Sequence, residues 1–336
     1  MRIPRFVGDG HIAFAEAPVP QPGPGQLLVA VRADALCGSE RGQFFGGSAV
    51  TPGHELAGVV ASQGPGTSTP VGTPGVAYLM DFRGECRSCR LGFTNQCEAK
   101  RGDIGFNRDG GYGPFALVGE HAFFPVPPDL PLDEATLLLD IMGTGGHALY
   151  RASLVHPDPQ SLCVGGAGPM GLAVLAMAKL RFGRDFPVYV SDLAPYRLGL
   201  AAALGGVPIH LHDGHTLADG LAAASRPRVD LAVDTSGRGA SRQALVAALD
   251  RRGVLVCVGH GQDLHLEVSG DLIAPERAVL GSEYFRFGEL AANLPLLLAN
   301  RAYLGQIITH RRGVDELEAA MVDFFRGETG KVVIVQ

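Results

Sequence analysis

At 336 residues the chain has room for two domains with cores of their own, which excludes a single small module. Hydrophobic residues make up 46% and charged residues 18%, with a mean hydropathy of +0.16, so a globular chain is expected and extended disorder is excluded. The formal charge of −6, with no block of like charges, sets nucleic acid aside as a partner.

The opening stretch from Met1 to Phe14 carries no apolar run followed by a small-residue cleavage site. No apolar run elsewhere approaches the ~18 residues of a membrane span. A soluble, cytoplasmic protein with no membrane partner is expected. The 47 glycines and 23 prolines are spread along the chain rather than gathered in a linker, so many tight turns are expected.

Two textures follow one another along the chain. From Gln26 to about Phe124 the apolar runs are short and punctuated by turn residues: Leu27 to Val31, Leu56 to Ala61, Val76 to Met80 and Phe115 to Val118. This is antiparallel β sequence. From about Thr144 to Tyr284, buried strands (Ser161 to Val164, Val188 to Ser191, Leu231 to Val233, Gly253 to Val258) alternate with Ala/Leu-rich segments such as Leu172 to Leu180 and Arg242 to Leu249. Such alternation predicts a doubly wound parallel sheet. Leu290 to Ala299 and Val314 to Phe325 then read as helices, and Lys331 to Val335 as a closing strand.

The strand Leu162 to Val164 runs into Gly166-Ala167-Gly168-Pro169-Met170-Gly171 and a helix from Leu172. In this G-x-G-x-x-G turn Gly166 permits the tight turn, Gly168 lets the backbone approach a pyrophosphate, and Gly171 permits close packing of helix on strand. The unpaired N–H groups of the helix start face the phosphates. Asp192 ends the next strand, 21 residues after Gly171, where a carboxylate accepts hydrogen bonds from the adenosine ribose and repels a 2′-phosphate. NAD is therefore expected over NADP. Arg197 either lies against the adenine or is a solvated helix residue.

Six cysteines in a chain expected to be cytoplasmic call for metal or reactive-thiol roles before disulfides. Cys163 and Cys257 sit in Leu-Cys-Val and Val-Cys-Val strand cores and read as small hydrophobes. Cys37 lies in Leu36-Cys37-Gly38-Ser39-Glu40, and His54 of Pro52-Gly53-His54-Glu55 follows 17 residues later. A thiolate and an imidazole suit zinc, but two ligands do not complete a site.

With these motifs, together with Asp109-Gly110-Gly111-Tyr112, Ile308-Thr309-His310 and Gly330-Lys331-Val332-Val333, the chain resembles the zinc-dependent medium-chain dehydrogenases and reductases over essentially its whole length. The resemblance implies an α/β fold. A Rossmann domain (144–286), with a doubly wound parallel sheet, would be inserted in a mainly antiparallel β, GroES-like catalytic domain built from 1–143 and 287–336. It also places the catalytic zinc ligands at Cys37, His54 and Asp140, the last by similarity of Asp140-Ile141-Met142-Gly143-Thr144-Gly145-Gly146-His147 to a stretch of the family's secondary alcohol and formaldehyde dehydrogenases. Glu55 matches a glutamate behind the metal, and Ser39 matches the hydroxyl that takes the alcohol proton. Pro169 and Met170 complete the cofactor turn.

Two departures from the family are visible. Its structural zinc lobe has four cysteines; here Cys86, Cys89 and Cys97 match three of them and Arg83 stands at the fourth. Either Asp81 or water completes a zinc site there, or the loop is empty. The histidine that relays the proton onward is replaced by Gly42, leaving Glu40, Arg41 or water as the exit. His210, His212 and His215 read as a strand end and loop. The resemblance thus implies an NAD- and zinc-dependent oxidoreductase acting on a secondary alcohol, polyol or sugar hydroxyl, or on the matching carbonyl, as a homodimer or homotetramer. The rivals are a zinc-free enone or quinone reductase of the same fold and a noncatalytic nucleotide-binding protein.

Overall fold

The computed structural model describes residues 1–336, and its strands form two separate sheets and a hairpin. In chain order the strands are β1 (Arg2–Gly8), β2 (His11–Glu16), β3 (Gln26–Ala35), β4 (Leu56–Gln63), β5 (Pro74–Ala77), β6 (Phe115–Gly119), β7 (Phe123–Pro125), β8 (Leu162–Gly165), β9 (Val188–Asp192), β10 (Val207–His210), β11 (Val229–Asp234), β12 (Leu249–Cys257), β13 (Ala278–Gly281), β14 (Ile308–Gly313) and β15 (Lys331–Val335).

The chain divides into two compact units, one of residues 1–140 with 286–336 and the other of 141–285. The joins expected at 143/144 and 286/287 fall at 140/141 and 285/286. In the first unit the sheet order is β14-β15-β3-β4-β5-β7, with β6 also paired to β3. Every pairing is antiparallel except β14 with β15. The two ends of the chain share a core: Phe6 and Phe44 from the first part are buried with Leu317, Met321, Phe324 and Ile334 from the last. That shared burial is why a segment of over fifty C-terminal residues belongs with the N-terminal unit.

The second unit is a six-stranded sheet in the order β10-β9-β8-β11-β12-β13, parallel throughout. Its central strands β8, β9 and β11 have apolar residues on both faces buried, as a sheet covered on two sides requires. The order reverses at β8, the strand that leads into the glycine turn, and in open α/β sheets such a switch point is where ligands bind.

The structure departs from the sequence expectations in detail. The hairpin β1–β2 lies before Gln26, where Pro4 breaks the strand pattern, and it turns at Gly8-Asp9-Gly10 with all three residues at positive φ. β5 ends at Ala77, and Met80 makes only an isolated bridge to Asp103. No helix is long and apolar enough to cross a membrane.

Candidate functional site

Strand register brings the donors together. β3 and β4 pair with Asp34 opposite Leu56, so the residues just after β3 and just before β4 meet at one end of the sheet; these are Cys37 and His54-Glu55. β15 lies on the other side of β3, with Val333 opposite Ala35 and the Leu36 N–H donating to Val332 O (2.9 Å), which places Lys331 beside the same end. Asp140 arrives from the segment after the short helical turns 132–138 and opens a π-helical turn, Asp140–Thr144.

Cys37 Sγ is 3.3 Å from Asp140 Oδ2, and His54 Nε2 is 3.8 Å from the same oxygen. Ligand atoms of Cys37, His54, Glu55 and Asp140 all lie within 4.8 Å of one another. A tetrahedron with zinc bonds of ~2.0–2.3 Å has edges of roughly 3.3–3.8 Å, and the separations of Cys37 and His54 from Asp140 fall at that spacing. His54 Nδ1 is 3.1 Å from Glu40 Oε1, which leaves Nε2 to face the cluster. The ring of Phe106 covers His54 with centroids 4.9 Å apart.

The electrostatics also call for a cation. Four buried carboxyl groups, Asp34, Glu40, Glu55 and Asp140, share this region with Lys331 and His54. Lys331 Nζ donates to Glu55 Oε1, while Glu55 Oε2 is buried with no hydrogen-bond partner. Burial first, then Asp140 and Cys37, push the Glu55 pKa well up against the opposing pull of Lys331. Burial pulls the His54 imidazole down, but its bonds to Asp140, Cys37 and Glu40 outweigh that and hold it well above its usual value. Burial and Glu40 likewise raise Asp34. Such a set keeps its charged forms only at a cost that a dication removes, so the residues fit a catalytic zinc.

Glu40 was expected only as one exit for a proton. It is fully buried, accepts a 2.6 Å hydrogen bond from Tyr112 OH and another from the Cys37 N–H, and holds His54, so it offers no route to solvent. Ser39 is exposed on the turn Gly38–Glu40, two residues from Cys37. Arg41 is exposed, with its guanidinium over the rings of Phe45 and Phe325. Sequence reasoning missed Lys331 as part of the site; the signal was a lysine opening an otherwise apolar strand.

The 83–97 lobe does not supply a closed zinc set. Cys86, Cys89 and Cys97 have Sγ atoms within 4.8 Å of one another, and Arg83 is exposed where a fourth ligand would stand. Asp81, considered as a replacement, is occupied: its oxygens lie 3.2 Å from Arg101, 3.2 Å from Arg108 and 3.0 Å from His121. Backbone N–H groups of Cys89 and Glu98 bring the Cys86 thiol down to about 7, and burial and the neighbouring thiols push Cys89 up to about 12. Of the remaining cysteines, Cys163 is fully buried, and Cys257, at the end of β12, is half-buried.

In the second unit Gly166 has φ +97°, and a Cβ on Gly171 would lie 1.8 Å from Gly166 O, so both positions demand glycine. A Cβ on Gly168 would meet nothing closer than the Arg197 guanidinium at 3.7 Å, leaving open space at the start of the helix Pro169–Phe182, whose first residues are Pro169 and Met170. Asp192 Oδ2 accepts the Ala167 N–H (2.5 Å) and Oδ1 the Ala194 N–H (2.8 Å), which fixes the carboxylate beside the turn. Arg197 is not a solvated helix residue: it is partly buried near the turn, its pKa lowered by burial and supported by Asp192. An open glycine cradle with an acid beside it fits a dinucleotide. His210 closes β10, and the rings of His212 and His215 stack at 5.4 Å in the following turn.

Comparison with known proteins agrees in both units. Residues 23–128 match the family model of the alcohol dehydrogenase GroES-like domain, and residues 169–299 that of the zinc-binding dehydrogenases. The chain is 26% identical to the uncharacterized zinc-type alcohol dehydrogenase-like protein YphC of Escherichia coli, over 97% of this chain and 96% of that protein. It is 27% identical to an L-threonine 3-dehydrogenase of Mesorhizobium japonicum, over 96% and 95%. Among solved structures, the alcohol dehydrogenase TADH of a Thermus species superposes with a TM-score of 0.89 at 25% identity, covering 100% of this chain and 99% of that one.

Proposed function

Because the chain belongs to the zinc-dependent medium-chain dehydrogenase/reductase family, we propose that it oxidises a secondary alcohol, polyol or sugar hydroxyl with NAD, or reduces the matching carbonyl, at one zinc held by Cys37, His54 and Asp140. The observation that carries this reading is the convergence of a buried thiol, imidazole and carboxyl at tetrahedral spacing in a region with surplus acidic groups. A zinc-free reductase has no use for that set.

Zinc, when bound, supplies Lewis acidity that lowers the pKa of an alcohol. NAD, when bound, supplies the hydride acceptor. The chain's own residues set the conditions for both. Glu40 orients His54 and fixes which ring nitrogen faces the cluster. Lys331 and Glu55 form a buried pair beside the donors, and Glu55 Oε2 remains buried without a hydrogen-bond partner. Ser39, exposed on its turn, would take the hydroxyl proton of the substrate on Oγ and give its own to solvent water. Phe106 shields His54 and gives the site one apolar wall. The open step at Gly168 and the Asp192 carboxylate would hold the pyrophosphate and the adenosine ribose, and Arg197 stands near the same turn. A homodimer or homotetramer in the cytoplasm accompanies this reading, and sizing by light scattering tests the assembly.

The test is a panel of secondary alcohols, polyols and sugar alcohols followed by NADH absorbance, with zinc measured on the same samples. Cys37→Ser, His54→Ala and Asp140→Ala are each expected to lose zinc and turnover while NAD affinity is unchanged. An Asp140→Ala protein that kept its zinc and most of its activity would place the third ligand elsewhere. Turnover of enones by wild type with no zinc present would favour the zinc-free reading.

A further inference from the structure

The three-cysteine lobe has chemistry that the catalytic reading leaves unused. Cys86 precedes the short helix Arg87–Arg90, Cys89 lies within it, and Cys97 follows the turn Thr94–Gln96. All three sulfurs are within 4.8 Å with no fourth Cys, His, Asp or Glu in the group, Arg83 stands at the fourth position of the sequence pattern, and Asp81 is held by Arg101, Arg108 and His121. Two of the sulfurs accept backbone N–H groups, Cys89 N–H to Cys86 Sγ at 3.5 Å and Arg83 N–H to Cys97 Sγ at 3.4 Å. Backbone N–H donors favour thiolates, and a thiolate beside a second thiol and in reach of solvent is the arrangement that oxidises reversibly. Cys86 and Cys89 are partly exposed, whereas Cys97 is 7% exposed. Attack from solvent therefore falls on the Cys86–Cys89 pair.

We propose that the lobe is a peroxide-responsive thiol switch rather than a structural metal site, in which Cys86 is oxidised first and Cys89 closes a reversible disulfide with it. The Cys86 thiolate attacks a hydroperoxide oxygen; an S–O bond forms as the O–O bond breaks. The sulfur gives up two electrons, and the departing alkoxide, or hydroxide from hydrogen peroxide, takes up a proton. The Cys89 sulfur then attacks the Cys86 sulfenic sulfur, forming S–S as the S–O bond breaks, and the Cys89 thiol proton goes to the departing hydroxide, which leaves as water. Two equivalents of an external thiol reverse the change through a mixed disulfide. This inference does not depend on the alcohol reaction.

The sequence makes the pairing readable, because tryptic cleavage after Arg83, Arg87, Arg90 and Lys100 puts each of the three cysteines on its own peptide. Full-length zinc-loaded protein is treated with stoichiometric hydrogen peroxide, its free thiols are alkylated, and the peptides are mapped by mass spectrometry. The expected product joins 84–87 to 88–90, reverts with dithiothreitol, and forms at least about tenfold faster than any modification of Cys257. Cys89→Ser should leave a sulfenic acid on Cys86 that dimedone traps, and Cys86→Ser should abolish trapping in the lobe. Zinc content should be near one per chain in wild type and in both variants. A ratio near two that falls to one in Cys86→Ser would show a structural zinc and overturn the proposal. A Cys86 no faster than Cys257, or a disulfide made only with Cys97, would overturn it equally. Loss of the catalytic zinc in the Cys37, His54 and Asp140 variants is read separately, so failure of one reading leaves the other standing.

Discussion

Glu40 Oε1 lies 3.1 Å from His54 Nδ1, and the other ring nitrogen of the same imidazole lies 3.8 Å from Asp140 Oδ2. A carboxylate behind a ligating histidine fixes the tautomer and the ring plane, and its loss typically weakens metal binding 10–100-fold. Glu40→Ala is therefore expected to weaken zinc binding by about 10–100-fold, measured by chelator competition. Glu40→Gln, which keeps one oxygen acceptor but puts an NH2 donor at the place of the other, should fall between that variant and wild type. Unchanged affinity in Glu40→Ala would show that Phe106 and the backbone alone orient the ring.

Asp192 is held by the Ala167 and Ala194 N–H groups at the end of β9, so its charge has little freedom to move away from a 2′-phosphate. Wild type is expected to bind NAD at least about tenfold more tightly than NADP, a difference of about 1.4 kcal/mol. Asp192→Gly should bring the two affinities together. Because the change also releases the Ala167 N–H, the ratio of the two dissociation constants is the quantity to follow. Equal binding by wild type would remove Asp192 from this role.

The glycine turn was legible because strand, turn, helix and acid occur at fixed intervals, and their local geometry hardly depends on distant contacts. The thiol-imidazole pair was visible for a related reason: Cys37 and His54 flank adjacent strands β3 and β4. What spacing alone did not reveal was the part assembled over long sequence distances. Asp140 required the family resemblance, Lys331 reaches Glu55 across the shared core of the chain ends, and Tyr112 reaches Glu40 from a separate loop. Glu40 itself was in view only as an exit for the proton, since nothing in four residues of sequence says that a carboxyl is fully buried. The same limit applies to Asp81, whose partners Arg101, Arg108 and His121 lie 20, 27 and 40 residues away.

Gly168 and Gly171 separate two uses of glycine within one turn. A Cβ at 171 would collide with Gly166 O, whereas at 168 it projects into open space. Gly171→Ala is therefore expected to lower the melting temperature, since the helix start must move off the strand. Gly168→Ala should melt within a degree or two of wild type yet lose most of its NAD affinity, because the added methyl occupies the approach to the pyrophosphate. Thermal melts with and without NAD check both. Parallel losses of stability in the two variants would mean that Gly168 serves packing.

Asp81 offers a test of electrostatics away from the catalytic donors. Burial acts to raise its pKa, but the hydrogen bond and charge of His121 and the charges of Arg108 and Arg101 outweigh burial and hold the carboxyl below its usual range. A folded-state pKa below the unfolded value of about 3.9 means that the carboxylate stabilises the fold fully above that pH and that the contribution fades as pH falls through the folded value. Asp81→Asn is accordingly expected to cost about 1–3 kcal/mol at neutral pH, since Arg101 loses a charged acceptor and Arg108 an ion-pair partner. The gap should narrow as the pH is lowered from about 4, where wild type also begins to protonate. Denaturant melts of both proteins across that range check the prediction. A gap that stayed constant with pH would show that Asp81 acts through its shape and hydrogen bonds rather than its charge.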